Sequence, residues 1–407
     1  MLPRFEVVGR RRPVDLVVPD AGPYVAPYVA ATGPATPGSL TLTSGTDRLV
    51  GRWDGDAAWL EVTSGGRTTL HRSRRFGRAD VAVDEIGLTL TGVHLTVLTR
   101  SDGVWTARGR VDLRDRLDPH DEAWLAALSV DAPVAGRFGQ LGLRDVRAVD
   151  GVPGGRVILS ATSAGPGFFD TAHTSLWELD PTTLGLTHLS DLFFLRPDRP
   201  GRYGDHATHV LRDGDDWLVA TSTWGDFERK RPRIGVTLAR TDADLLSGVH
   251  LLETRPLPLP TDGLRSVGVW DPHLVRTDDG WLVGFVSATK FFRFHPALAG
   301  GPTLDDLTLR GAARRLTQCE GTTLARLDGA WRVLASDKRA ASYPVFDLEM
   351  RQIGALDAPY PTNIPWPTLL PDGDSWLLVG FNGRPYGGPL PGYGTHGELV
   401  LMRPTTV

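Results

Sequence analysis

The sequence predicts an all-β protein, a five-bladed β-propeller that follows an N-terminal β-sandwich-like domain. Many short strand-like runs are separated by turn residues, since the 407 residues include 47 Gly and 31 Pro. Patterns of an amphipathic helix are few, and residues 119–128 give the best one. A strand–turn–strand pattern recurs five times in the last two thirds of the chain, which indicates a repeat architecture.

The N-terminal third is predicted to form two regions. Residues 1–40 are rich in proline and are expected to be an irregular, extended lead-in. Residues 41–134 contain short strand-like runs separated by turns such as Asp54-Gly55 and Asp102-Gly103, followed by a linker with the one helix. This spacing favours a small β-sandwich as an accessory domain. Residues 135–407 are left for the propeller.

Each repeat of the C-terminal region begins with a polar head residue, continues into a strand and a turn, and returns as a second strand. The heads are Asp145, Asp205, Asp271, Glu320 and Asn363, spaced 60, 66, 49 and 43 residues apart. The second strand starts 10 to 13 residues after the head, and in four repeats it starts at a tryptophan. Each repeat has room for about four strands, the size of a propeller blade.

The heads are predicted to meet at one mouth of the propeller, because the innermost strand of every blade lines the central channel. Four of the five heads are carboxylates. Clustered acids raise one another's pKa, so stability alone does not explain them. Two carboxylates on opposite sides of a pocket are the groups that hydrolyse glycosides. One protonates the leaving oxygen, and the other activates water or attacks the sugar. A third can orient the acid.

Three of these motifs resemble those of the five-bladed propeller glycoside hydrolases, family 43 and its relatives, families 62, 32 and 68. They are Arg144-Asp145-Val146, Trp270-Asp271-Pro272 and Glu320-Gly321-Thr322, in the blade order of that family. Val146 and Thr322 stand where the family pattern has proline. The resemblance covers residues 136–407.

The resemblance implies that Asp145 is the general base, Asp271 the modulator of the acid's pKa, and Glu320 the general acid of an inverting enzyme. If the chain is closer to families 32 and 68, Asp145 is a nucleophile and the configuration is retained. The implied substrate is an oligosaccharide or other glycoside with a furanosidic or pentose linkage. Arabinofuranosides are the first expectation, fructofuranosides the second and xylosides the third.

Further side chains are predicted to contact the sugar, because aromatic faces stack on sugar rings and polar groups bind hydroxyls. These candidates are Arg144, Asp205, His206, His209, Trp224, Trp270, His273, Asn363 and Trp366. Asp205, His206 and His209 could alternatively hold a metal ion. The family often has a central calcium ion with a histidine from blade five, where this chain offers Asn363 and Trp366. We therefore predict no cofactor, with central calcium as the lesser alternative.

Structural roles compete with these assignments. Asp145 could pair with Arg144 or Arg147, Asp271 could be a turn residue before Pro272, and Glu320 could serve as a buried polar group with a partner. The tryptophans that start second strands recur at one position, which indicates core packing between blades. Two functional alternatives also stay open, a sugar-binding propeller without catalysis and a scaffold that binds proteins.

Charge and hydropathy narrow the class of protein. A net charge of −4 without a basic stripe does not favour nucleic-acid binding, and no segment is apolar enough for a membrane span. Cys319 is the only cysteine, so no intrachain disulfide can form. The N-terminus lacks an apolar signal segment, so we expect a cytoplasmic protein, although a chain with its signal peptide removed would look the same. The oligomeric state stays open.

Overall fold

The computed structural model describes residues 3–19, 22–228, 233–387 and 397–405, and within them the secondary structure is almost all β. A short helix, α1 (Glu122–Ala126), lies inside the predicted helical segment, and the Asp121 side chain caps it by accepting the Trp124 N–H at 2.8 Å. Two 3₁₀ helices span Pro153–Gly155 and Phe169–Thr171. In the described residues, no helix has the length and apolar composition needed to cross a membrane.

The N-terminal strands other than β1 form two sheets that face each other across one hydrophobic core. In chain order the strands are β1 (Phe5–Arg11), β2 (Asp15–Pro19), β3 (Tyr28–Pro34), β4 (Gly38–Ser44), β5 (Asp47–Trp53), β6 (Ala58–Ser64), β7 (Arg67–His71), β8 (Glu85–Thr91), β9 (His94–Ser101), β10 (Val104–Asp112), β11 (Leu128–Asp131) and β12 (Val134–Gln140). One sheet has the order β10-β9-β8-β3-β12-β2 and the other β11-β4-β5-β6-β7. Leu88 and Val97 of the first pack against Leu42 and Leu60 of the second.

The following residues form five sheets, here called sheets I to V. Sheet I contains β13 (Leu143–Ala148), β14 (Val157–Ser163), β15 (His173–Leu179), β16 (Leu186–Arg196), β17 (Arg199–Tyr203) and, parallel to β16, β21 (Gly248–Glu253). Sheet II contains β18 (His206–Asp213), β19 (Asp216–Ser222), β20 (Val236–Thr241) and β22 (Arg255–Pro256). Sheet III contains β23 (Gly268–Thr277), β24 (Gly280–Lys290), β25 (Arg293–Thr303) and β26 (Asp306–Ala312).

Sheets IV and V complete the series. Sheet IV contains β27 (Cys319–Leu327), β28 (Ala330–Asp337), β29 (Tyr343–Phe346) and β30 (Gln352–Leu356). Sheet V contains β31 (Thr368–Asp372), β32 (Ser375–Asn382), β33 (Glu398–Pro404) and the N-terminal strand β1, which pairs with β33. The predicted strand–turn–strand units are the first hairpins of these sheets. At one of their turns Asp328 and Gly329 have φ of 49° and 76°, as a type I′ turn requires.

Hydrophobic clusters join the five sheets into a closed ring. The clusters between neighbouring sheets contain the pairs Ile158 with Val219, Leu238 with Val283, Leu298 with Val333, Leu334 with Leu378, and Leu377 with Leu159. Sheet V therefore packs against sheet I as well as against sheet IV. The first strands β13, β18, β23 and β27, with β31, begin around one centre.

Residues 1–40 differ from the prediction of an irregular lead-in, because β1, β2, β3 and the start of β4 lie there. The prolines interrupt these strands only at their ends. Pro19 ends β2, Pro34 ends β3, and Pro37 precedes β4, so the ladder hydrogen bonds within each strand are kept. β12, which straddles the predicted boundary at residue 135, belongs to the N-terminal sheet, since it pairs with both β2 and β3.

Candidate active site

The site begins with a β-bulge that recurs in the first strand of sheets I to IV. The strand register shifts between residues 144 and 147, 206 and 209, 270 and 273, and 320 and 323. In each bulge one residue has a positive φ, namely Asp145 (51°), Ala207 (59°), Asp271 (56°) and Gly321 (72°). Bulges re-aim a side chain and often occur next to active sites. Here they separate side chains that line a cavity, such as Asp145 and Asp271, from side chains two residues further on, such as Arg147 and His273. The space around the latter is called the channel below.

The cavity has a volume of about 280 Å³ and lies where the bulges meet. Asp145, Asp271 and Glu320 line it together, although they come from sheets I, III and IV. The remaining lining residues are Phe168, Phe169, His206, Ala207, Trp224, Trp270, Phe291, Phe292, Phe294, Gln318, Lys338, Asn363, Ile364 and Trp366. The structure thus brings the three predicted catalytic acids to one cavity.

Glu320 has a strong preference for its protonated form. Burial, with the negative charge of Asp145 adding to it, raises the pKa of Glu320 from 4.5 to about 8. The Trp270 indole N–H lies 3.4 Å from Glu320 Oε2 and orients the carboxyl group. At neutral pH such a carboxylic acid can donate a proton to a leaving oxygen.

Asp271 and Asp145 lie in different electrostatic surroundings. Burial and the neighbouring charges of Glu320 and Asp145 raise the pKa of Asp271 well above 3.8, while the Gly321 N–H approaches its Oδ2 at 3.4 Å. Burial also raises the pKa of Asp145, but the Arg144 guanidinium opposes this shift through an Nε–Oδ2 contact of 3.2 Å. Asp145 is therefore the acid of the three that has a direct hydrogen bond from a cation.

Five other predicted substrate-binding residues line the same cavity: His206, Trp224, Trp270, Asn363 and Trp366. His206 donates from Nε2 to the Phe169 carbonyl at 3.0 Å, and burial lowers its pKa well below 6.5, so it is a neutral side chain. The Trp366 ring packs against Gly321, where a Cβ atom would come within 2.3 Å of it. Gly321 therefore permits both the positive φ and the close approach.

The prediction for Asp205 is wrong in its position. Its carboxylate is fully buried away from the cavity, where it pairs with Arg196 and accepts the Gly225 N–H at 2.9 Å. The bulge residue of sheet II is Ala207, two residues after Asp205, so the head of this repeat was assigned in the wrong register. Arg144 also does not line the cavity, since it lies buried behind Asp145.

His209 and His273 are also corrected, because they lie in the channel below the cavity. Their rings are 4.2 Å apart, and neither lines the cavity. His209 Nδ1 accepts the Leu274 N–H at 3.1 Å, and His273 Nδ1 accepts the Leu324 N–H at 3.2 Å. Each histidine therefore ties its own sheet to the backbone of the next sheet.

The channel residues do not fit a central metal ion. Potential ligand atoms of Asp150, His209 and His273 lie within 4.8 Å of one another. However, burial lowers the pKa of both histidines, and each neutral ring accepts at Nδ1, so its proton resides on Nε2 and no lone pair remains for a metal. The Arg147 guanidinium occupies the same channel, where it donates to the Asp271 carbonyl at 3.0 Å and lies 4.4 Å from the Trp366 ring centroid. A calcium ion there would face a fixed positive charge, and of the three candidate ligands only Asp150 offers oxygen.

Two sets of lining residues were not predicted from the sequence, one aromatic and one polar. Phe168 and Phe169 follow β14, whereas Phe291 and Phe292 form the turn between β24 and β25. A Phe-Phe pair at a hairpin turn is an unusual signal that the sequence did contain. Gln318 precedes Glu320 by two residues and therefore shares its strand face, but no sequence pattern indicates Lys338.

The N-terminal sheets hold one wall of this cavity in place. Asp170 follows the lining residue Phe169, and its Oδ2 contacts His94 Nε2 at 2.8 Å and Arg114 Nη2 at 3.3 Å. The Tyr28 hydroxyl donates to the Ala172 carbonyl at 2.8 Å. Three N-terminal side chains therefore position the segment that contains Phe168 and Phe169.

The chain is similar to solved structures of glycoside hydrolases. One is the GH43_1 enzyme from Xanthomonas citri, at 14% identity over 66% of this chain and 89% of that chain, with a TM-score of 0.46. Another is the catalytic domain of the Coprinopsis cinerea GH62 alpha-L-arabinofuranosidase, at 12% identity over 65% and 92%, with a TM-score of 0.44. A third is a Bombyx mori GH32 beta-fructofuranosidase mutant in complex with sucrose, at 13% identity over 64% and 59%, with a TM-score of 0.45.

Families 43, 62 and 32 are among those that the three acidic motifs resemble. No protein-family model matches the chain, and no curated protein matches it either.

Proposed function

We propose that this protein is a glycoside hydrolase in which sheets I to V are the blades of a five-bladed β-propeller and the N-terminal sheets are a β-sandwich accessory domain. The observation that carries the proposal is the meeting of Asp145, Asp271 and Glu320 at one cavity. These acids come from three different sheets, and one of them, Glu320, has its pKa raised to about 8. An acid that is protonated at neutral pH beside a second carboxylate is the combination that glycoside hydrolysis needs.

In the proposed reaction Glu320 gives its proton to the glycosidic oxygen while the bond from that oxygen to the anomeric carbon breaks. Asp145 takes a proton from water, whose oxygen bonds to the anomeric carbon with inversion. The contact with Arg144 favours the ionised form of Asp145 that a base requires. Asp271 interacts electrostatically with Glu320, and because two neighbouring buried carboxylates repel each other, this pair retains a proton in the cavity. If Asp145 instead attacks the sugar directly, the configuration is retained.

The proposed substrates are furanosides or pentosides, with arabinofuranosides first, fructofuranosides second and xylosides third. A cavity of about 280 Å³ is at the small end for binding sites, which supports recognition of a terminal sugar rather than of a long polymer. Gln318, Lys338 and Asn363 supply donors and acceptors for its hydroxyls.

The test is a screen of the wild type, Glu320→Gln and a matched control, Glu349→Gln. Glu349 is exposed and pairs only with Arg351 among the ion pairs of the described residues. Substrates are the 4-nitrophenyl arabinofuranoside and xyloside, and sucrose, with the first-formed anomer read by NMR. We expect turnover of one sugar, a loss of kcat of about 10²- to 10⁴-fold in Glu320→Gln, and no change in the control.

Inverted product would support Asp145 as base, and retained product would support it as nucleophile. Turnover of sucrose that survives in Glu320→Gln would contradict the assignment of the acid, because a sugar alcohol needs a proton to leave, whereas 4-nitrophenol leaves with little help. Binding of sugar without turnover by the wild type would instead favour a non-catalytic carbohydrate-binding propeller.

A further inference from the structure

The cavity has two chemically different walls. Gln318, Glu320 and Lys338 come from sheet IV, and Asn363 precedes the first strand of sheet V. These side chains make that wall the more polar one, although Ile364 and Trp366 also lie there. The opposite wall is formed by residues of sheets I to III. It contains the aromatic side chains Phe168, Phe169, Trp224, Phe291 and Phe292 beside the polar lining residues Asp145, His206 and Asp271.

The aromatic side chains form a continuous series of ring contacts. Centroid distances are 4.3 Å from Phe168 to Phe169, 4.6 Å from Phe169 to Trp224, and 6.2 Å from Trp224 to Phe291. Phe227 extends the contact behind them, stacked 4.9 Å from Phe291. A single aromatic face can stack on a sugar ring, but several adjoining rings offer few donors or acceptors for the hydroxyls around a sugar, and unpaired hydroxyls are costly to bury.

The two phenylalanines at the hairpin tip break a local rule. A two-residue turn between antiparallel strands usually contains Gly, Asn or Asp, yet β24 and β25 are joined by Phe291 and Phe292. Phe292 is 56% exposed, although its side chain is large and apolar. Residues that do not suit their local backbone are expected at functional sites. An apolar ring left exposed beside a cavity is likewise expected where a ligand binds.

Glu320 lies at the boundary between the two walls. Its carboxyl group contacts Trp270 Nε1 at 3.4 Å, and the Trp270 ring lies 5.4 Å from the Trp224 ring. A general acid must face the oxygen that leaves. The leaving oxygen must therefore lie beside Glu320, within reach of the aromatic side chains that Trp270 joins to it, while the anomeric carbon lies between Glu320 and Asp145.

We propose that the substrate is a glycoside whose leaving group is a flat aromatic ring, bound between Phe169, Trp224 and Phe292. This inference rests on the proposed hydrolase function and names its substrate class. Hydrolysis then yields the free sugar and a phenol, with the phenol oxygen receiving the Glu320 proton and water supplying the new oxygen on the sugar.

The first experiment compares the 4-nitrophenyl and methyl glycosides of whichever sugar is turned over. The variants are Phe292→Ala and, as a control, Ile353→Ala, which removes an equally exposed apolar side chain from sheet IV, away from the cavity. Loss of one ring contact should raise KM for the 4-nitrophenyl glycoside about fivefold in Phe292→Ala. KM for the methyl glycoside should not change in Phe292→Ala. In Ile353→Ala, KM should not change for either substrate. An equal rise for both substrates, or none, would overturn the proposal.

The second experiment does not depend on catalysis. Calorimetry measures binding of 4-nitrophenol to Glu320→Gln and to the double variant with Phe292→Ala. Binding that weakens about fivefold in the double variant supports the aromatic site even if no sugar is hydrolysed, in which case only the hydrolase function fails. Absence of binding together with normal turnover of methyl glycosides overturns the aromatic site and leaves the hydrolase function standing.

Discussion

The cavity and the channel beneath it are built from the same strands but contain opposite kinds of groups. Asp145 and Asp271 line the cavity, whereas Arg147 and His273, two residues further along each strand, lie in the channel. The acids of the cavity raise one another's pKa, while the channel residues bond to the backbone of neighbouring sheets. One bulge per strand thus separates the mutually repelling acids of the cavity from the channel side chains whose hydrogen bonds join the sheets.

The largest effect expected from this comparison is that of removing the channel cation. Arg147 is fully buried, and its charge opposes the rise that burial causes in the pKa of Asp145 and of Asp271. Arg147→Met should lower the free energy of unfolding by about 3 kcal/mol, because buried charges lose their partner. Urea denaturation measures this, and Arg147→Lys, which keeps the charge, should restore part of the loss.

An unchanged urea midpoint in Arg147→Met would contradict the view that the channel residues join the sheets.

Addition and removal of calcium provide a second test of the channel. Because Arg147 supplies the positive charge of the channel, neither millimolar calcium nor EDTA should change the melting temperature or activity of the wild type.

A smaller effect, of the opposite sign, is expected in the cavity. The pKa of Glu320 is raised from 4.5 to about 8, so the stability that its protonated form contributes is full below pH 4.5 and is lost as the pH rises through 8. The amide that replaces the carboxyl group in Glu320→Gln cannot ionise. We therefore expect this variant to be more stable than the wild type at pH 8 and equal to it near pH 4.

Urea denaturation of wild type, Glu320→Gln and Glu349→Gln at pH 4 and pH 8 measures this difference. The exposed control should follow the wild type at both values. A Glu320→Gln advantage of the same size at pH 4 and pH 8 would show that ionisation of Glu320 is not its cause.

The smallest effect should come from the N-terminal domain, through the wall of the cavity. His94→Ala removes the 2.8 Å contact with Asp170 and leaves the segment of Phe168 and Phe169 less ordered. KM for a 4-nitrophenyl glycoside should rise about threefold with kcat unchanged, because the acids are not touched. His94→Gln, whose amide can donate in place of Nε2, should restore KM. A fall in kcat at constant KM would exclude a role confined to the wall.

Much of the site could be predicted because its signals are local. Asp145, Asp271 and Glu320 each lie in the first half of a strand that a turn follows. The turn Asp328-Gly329 defines its hairpin without help from the rest of the chain. Asp205 was misplaced because a bulge changes which side of a strand a residue faces. His209 and His273 were assigned to the cavity for the same reason, since a register of two residues decides between cavity and channel.

By itself the sequence determined the all-β class, the five repeated hairpins and the three acids, since turn chemistry and strand alternation act between residues close along the chain. Only the tertiary structure decided that Arg147 occupies the channel, that Phe168 and Phe291 share a wall, and that His94 supports it. These contacts join residues from different sheets. They depend on ring closure and on the bulges, whose position is set by packing between sheets rather than by any one segment.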